Sequence, residues 1–171
     1  MDTASHPITA RIARIRAELH YQHADAVLVP SSDPHLSEYL PARWQTREWA
    51  SGFTGSMGTL VVTTESAVLF ADSRYWSQAE SELQGSPIVL EKIPNGATNH
   101  HVMWLAQQLG RGAVVLVDAQ VLGLAAEKTL RSALEAVGAA LRTDFDLFDT
   151  VWPQRPGLPS GSVHEHPTPY A

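Results

Sequence analysis

Apolar residues recur at helical spacing at Ile8, Ile12, Ile15 and Leu19, with Arg11, Arg14 and Arg16 between them. This spacing predicts an amphipathic surface helix. Ala26–Val29 is a continuous apolar run closed by Pro30, the pattern of a buried strand. Asp33-Pro34 reads as a helix start, because Asp can cap free N–H groups and Pro suits the first turn. A short helix is therefore expected over roughly 34–40, stopped by Pro41. Thr59–Thr63 and Ala67–Ala71 are two β-rich runs joined by Thr64-Glu65-Ser66, predicting a hairpin whose loop lacks the usual glycine. Helices are expected at Arg74–Leu83, closed by Gly85, and at Asn99–Leu109, closed by Gly110. Strands are expected at Ile88–Glu91, Ala113–Val117 and Ala139–Arg142. Between the last two, Leu122, Ala126, Leu130, Ala133 and Val137 trace one apolar stripe on a long helix.

Strands and helices alternate along most of the chain, with one hairpin inserted. The expected class is therefore α/β, a mixed sheet of about six strands with helices on both faces. The segment from Trp152 is of another kind. It holds five of the eleven prolines and reads as an extended, semi-rigid connector. The expected organisation is an α/β domain over residues 1–150. A proline-rich linker follows over 151–171, leading towards a second domain.

Composition narrows the chemistry. The 171 residues are 44% hydrophobic and 18% charged, ordinary for a globular domain that buries its own core. The absence of cysteine excludes disulfides, thiolate zinc sites and a cysteine nucleophile. With a net charge of −6 and no Lys/Arg block, a nucleic-acid backbone has little to hold, so no nucleic-acid partner is expected. The longest apolar stretches are too short to span a bilayer and the first residues carry no apolar signal region, so no membrane partner is expected and the expected location is cytoplasmic.

Several groups of residues invite a chemical reading. Gly52, Gly55 and Gly58 fall at every third position, a density that lets backbone approach an anion. They precede a strand, however, where a phosphate loop would open a helix, and a tight turn with closely packed backbone is the simpler account. Asp72 and Asp118 each follow a strand, where α/β sheets tend to bind ligands, and two such carboxylates could hold a divalent cation. The plain alternative is that Asp72 caps the next helix and pairs with Arg74. Asp33, His35 and Glu38 could ligate a metal, or serve as a cap, a solvated side chain and a helix-face charge. His100-His101 and His164-Glu165-His166 read as surface pairs. Trp44 and Trp49 lie in a polar, loop-like segment, where they cover a core edge or meet another domain.

Taken together, Val29-Pro-Ser-Ser-Asp-Pro-His-Leu-Ser-Glu-Tyr39, Trp49-Ala-Ser-Gly-Phe-Thr-Gly-Ser56 and Ala71-Asp-Ser-Arg-Tyr-Trp76, with Trp152-Pro-Gln-Arg-Pro156, resemble the first domain of the three-domain Xaa-Pro aminopeptidases (aminopeptidase P). This domain is of the creatinase/prolidase N-terminal type. The resemblance implies a ribonuclease-H-like topology. It also implies a parent enzyme that removes an N-terminal residue ahead of proline, using two divalent metals, commonly manganese, held by Asp, His and Glu of a C-terminal domain. None of those motif positions occurs in this chain, so no catalytic residue and no cofactor is expected within it. Its expected role is to shape substrate access and subunit assembly. The expected partners are the other domains of the polypeptide, a further copy in a homo-oligomer, and peptide substrate at the domain interface. Arg74, Tyr75 and Trp76 are the candidates for reaching the peptidase cleft: Arg can meet a peptide carboxylate and the rings can line a wall. Asp33 and His35 are secondary candidates near the same edge. Two other readings stand beside this one: a self-sufficient small-ligand or protein-binding module, and a divalent-dependent ribonuclease-H-like enzyme using Asp72 and Asp118.

Overall fold

The computed structural model describes residues 6–94, 99–163 and 165. Six strands form one sheet: β1 (Ala26–Pro30), β2 (Thr59–Thr63), β3 (Ala67–Ala71), β4 (Val89–Lys92), β5 (Val114–Leu116) and β6 (Ala140–Arg142), in the spatial order β4-β3-β2-β1-β5-β6. β2 pairs antiparallel with both neighbours, while every other pairing is parallel. The mixed six-stranded sheet expected from the sequence is therefore present, and β2 alone runs backwards.

Helices cover both faces. On one side α1 (Pro7–Tyr21), α2 (Thr46–Ser51), α3 (Trp76–Glu82) and α6 (Leu147–Val151) pack over Val27, Val29, Leu60, Val62 and Leu69. On the other, α4 (His100–Gln108) and α5 (Leu124–Ala136) pack over Ala26, Leu28, Val61, Phe70 and Val115. The alternation along each central strand sends successive side chains into the two layers, as the pleat requires. Ile8, Ile12, Ile15 and Leu19 are all buried, so the stripe read from the sequence is the inner face of α1. The hairpin of β2 and β3 also forms as expected. Thr63 replaces the missing glycine: its Oγ1 accepts the Glu65 and Ser66 amides at 3.2 and 2.8 Å and closes the loop.

Two expectations fail. No helix forms over 34–40. Asp33 does cap, but it caps a tight turn: its carboxylate accepts the amides of His35 and Ser37, each at 2.9 Å, and Leu36 turns left-handed at φ 55°. A segment this short, bounded by two prolines, does not repay helix nucleation. Trp44 and Trp49 are not in a loop; they lie in a 3₁₀ turn (Ala42–Trp44) and in α2. The stripe on α5 forms for the most part: Leu130 is buried and Leu122, Ala133 and Val137 pack against the same core, joined by Leu134, while Ala126 faces solvent.

After α6 the chain stays on the body for a few residues. Trp152 stacks on Trp49 at 5.1 Å and 16°. Arg155 donates to Asp146 at 2.5 Å, to Asp149 at 2.8 Å and to the Arg43 carbonyl at 3.2 Å, and Arg43 in turn donates to the Pro156 carbonyl at 3.2 Å. From Gly157 the described residues are exposed.

Candidate functional site

Because β2 is reversed, its entry lies at the same rim of the sheet as the exits of β1, β3, β4, β5 and β6. This rim gathers Ser31–Asp33, the glycine loop 52–58, Asp72–Trp76 and Asp118. The topology thus assembles most of the residues singled out from the sequence at the end of the sheet where α/β folds bind ligands.

Arg74 is exposed at this rim and fixed in direction. Asp72 Oδ1 accepts from the Arg74 amide and from Nε at 3.0 Å each, and Oδ2 accepts from Nη2 at 2.7 Å. The side-chain bond from Arg74 holds the Asp72 carboxyl below its ordinary range, and the same pairing holds Arg74 above its own. Asp72 also caps the 3₁₀ turn Ser73–Tyr75 that leads into α3. The capping and pairing role is thus the one the structure shows. The Arg74 guanidinium lies 5.3 Å from the Tyr75 ring centroid. Tyr75 Oη and Ser56 Oγ share a hydrogen bond at 2.5 Å, and the Trp76 indole N–H donates to the Ala71 carbonyl at 2.9 Å. Arg74 and Tyr75 thus sit together at the rim, tied to the glycine loop, while Trp76 is tied to β3 and has Lys92 Nζ 5.4 Å from its ring centroid.

Asp33 and His35 meet different fates. Asp33 is only 1% exposed, and its Oδ1 accepts both turn amides. The Ser37 amide, opposed in part by burial, holds its carboxyl below the usual range. His35 is exposed and contributes its backbone amide. Both residues therefore build the turn.

The glycine loop is braced from below by a residue that the sequence reading passed over. Arg47, 5% exposed, donates to the Phe53 carbonyl at 2.9 Å, to the Gly55 carbonyl and to Ser31 Oγ at 2.7 Å. Burial pulls its guanidinium down to about 10, so it stays charged at neutral pH. Ser31 passes the constraint on by donating to the Gly58 carbonyl at 2.8 Å. Only contacts remote in sequence reveal this; locally, Arg47 is a polar residue between two tryptophans. The close-packing account of the glycines holds: a Cβ on Gly55 would sit 2.3 Å from Phe53 Cζ and 2.7 Å from Tyr75 Cδ1.

Between the loop and β3 lies a cleft of about 350 Å³, walled by Pro30, Met57, Gly58, Phe70, Asp72 and His101. Burial, with His100 nearby, lowers the pKa of His101, which keeps its imidazole neutral there. His100 approaches Glu91 at 3.3 Å. His164 and His166 lie outside the described residues.

The carboxylates do not gather for a metal. Asp72 and Asp118 follow β3 and β5, three strand spacings apart, or ~14 Å. Asp118 caps its own 3₁₀ turn through the Gln120 amide at 2.9 Å, and burial raises its pKa. Among the described residues no group of three or more His, Asp or Glu side chains is placed to hold a metal ion. A dinuclear centre does not fit the donors present here. Among the same residues no helix is long and apolar enough to cross a membrane.

A family model described as the Creatinase/Prolidase N-terminal domain matches residues 11–145. The chain belongs to the creatinase/prolidase N-terminal domain family. Within that family it is 37% identical over 163 residues to a probable Xaa-Pro aminopeptidase P of Talaromyces stipitatus, covering 94% of this chain and 25% of that protein. It is 36% identical over 174 residues to a probable Xaa-Pro aminopeptidase P of Pyrenophora teres f. teres, covering 100% of this chain and 26% of the relative. The chain thus spans about a quarter of the length of the curated relatives it matches. Among solved structures, an X-prolyl aminopeptidase from Caenorhabditis elegans, a cytosolic enzyme with a di-nuclear active site, superposes with a TM-score of 0.80 at 30% identity, over 89% of this chain and 26% of that one. The N-terminal domain of the cytoplasmic peptidase PepQ from Mycobacterium tuberculosis shares the fold at a TM-score of 0.63 and 23% identity, over 84% of this chain and 98% of that one. The creatinase/prolidase N-terminal fold and the resemblance read from the sequence agree with these findings.

Proposed function

We propose that this chain is the non-catalytic N-terminal domain of a cytoplasmic, metal-dependent Xaa-Pro aminopeptidase, which releases an N-terminal residue ahead of proline. Two divalent ions, manganese by the resemblance, belong to a further domain of the parent. The observation that carries this reading is the match along 94% of this chain to an Xaa-Pro aminopeptidase P four times as long. Of the candidate carboxylates, Asp33 and Asp118 cap turns, and Asp72 both caps a turn and pairs with Arg74.

In this reading residues 1–150 are the domain proper and 151–171 lead onward to the next. The domain narrows access to the peptidase cleft and takes part in assembly of a homo-oligomer. Arg74 offers a directed cation for a peptide carboxylate, and Tyr75 and Trp76 form a wall that excludes long chains. Asp33 and His35 support the neighbouring turn.

The test compares the 171-residue chain with the full-length parent on a short Xaa-Pro peptide with Mn²⁺. Release of the N-terminal residue by the parent alone is expected, and release by the 171-residue chain overturns the proposal. In the parent, Arg74→Ala should raise KM for short peptides several-fold while kcat changes little. An unchanged KM would remove Arg74 from this role.

A further inference from the structure

The turn after β1 is built at a cost and displays apolar surface. Leu36 holds a left-handed backbone, φ 55°, that L-residues other than Asn and Asp rarely adopt. A buried carboxylate, Asp33, is committed to holding it there. Yet Leu36 is 67% exposed, so the strain secures no core contact. Its Cδ1 lies 3.8 Å from where a Cβ on Gly123 would stand, which places it beside Leu124, 81% exposed at the start of α5. Tyr39, three positions further on, is 85% exposed. It borders a cleft of about 180 Å³ that runs to Ser56, the partner of Tyr75.

We infer that Leu36, Tyr39 and Leu124 form the surface on which the next domain of the same polypeptide docks. This inference rests on the reading above that further domains follow. Two observations favour that occupant. The relatives this chain matches carry about three quarters of their length outside the matched region. Among the described residues Pro156 is the last with a hydrogen bond to the body, its carbonyl accepting from Arg43, so whatever follows leaves the body at the Arg43 side chain, in the segment that continues from the displayed turn. Tyr39 shares its cleft with Ser56, the partner of Tyr75, so a domain seated on Tyr39 would reach that end of the rim as well.

Hydrogen exchange on the full-length parent and on the 171-residue chain tests this. Amides of residues 34–40 and 123–125 should exchange at least tenfold more slowly in the parent. The double variant Leu36→Asn, Leu124→Glu suits the local backbone, because Asn tolerates the left-handed region and Glu favours a first helical turn. The melting temperature of the 171-residue chain should therefore not fall, while the parent variant should lose the added protection. Equal exchange in parent and isolated chain overturns the inference. So does protection that grows with the concentration of the isolated chain, which would assign the patch to a second copy. Protection in a parent inactive on Xaa-Pro peptides would defeat the enzymatic reading and leave the docking surface standing; an active parent without protection would do the reverse.

Discussion

Two residues show how the rim is held. Gly55 has no room for a methyl group, because Phe53 and Tyr75 occupy the space from both sides. Gly55→Ala must push two rings apart, and overpacking of this kind costs ~1–3 kcal/mol, readable by denaturant titration. The change should also disturb the Tyr75–Ser56 bond and thereby the wall. Asp118 responds to pH in the opposite sense to a paired carboxylate. Burial raises its pKa, with Asp146 and Asp149 adding to the rise and Arg155 opposing it. An acid raised on folding penalises the native state above its folded pKa, and the penalty fades as pH falls through that value. Asp118→Asn keeps an acceptor for the Gln120 amide and removes the charge. Its melting temperature should exceed that of the parent sequence at neutral pH, and the difference should vanish below the ordinary aspartate range.

At the scale of elements, legibility followed periodicity. α1 and the β2–β3 hairpin were readable because their apolar positions repeat with the period of the element. The turn at 34–40 was misread because a cap signals only that free amides are to be satisfied, not how many. Asp33 serves two and stops. α2 and α6 escaped because they are short and their burial is tertiary: Trp49 meets Phe148 and Trp152, about a hundred residues away. Of the candidate site, Asp72 with Arg74 was legible as a local pair, whereas Arg47 was not, since its three partners lie on two separate loops. The docking of residues 152–156 is open to measurement. Trp152→Ala removes one member of a stacked pair and should cost ~1–2 kcal/mol. Backbone amides near Arg155 should exchange faster as the segment lifts.

For the molecule as a whole, one reversed strand sets the division of labour. Every strand contributes to a single rim, where the candidate wall and the displayed turn both lie. The far rim carries the hairpin loop Thr64-Glu65-Ser66, which α1 holds through main-chain oxygens: Arg16 reaches the Thr63 and Glu65 carbonyls at 3.1 and 2.8 Å. The Glu65 side chain is free to change. Since the sequence has no cysteine, Glu65→Cys would introduce a unique thiol. A dye or spin label attached there should leave the melting temperature within a degree or so, because surface substitutions of this kind usually stay within ~0.5 kcal/mol. Such a handle would let distances to partners at the opposite end be followed without touching the surfaces that meet them.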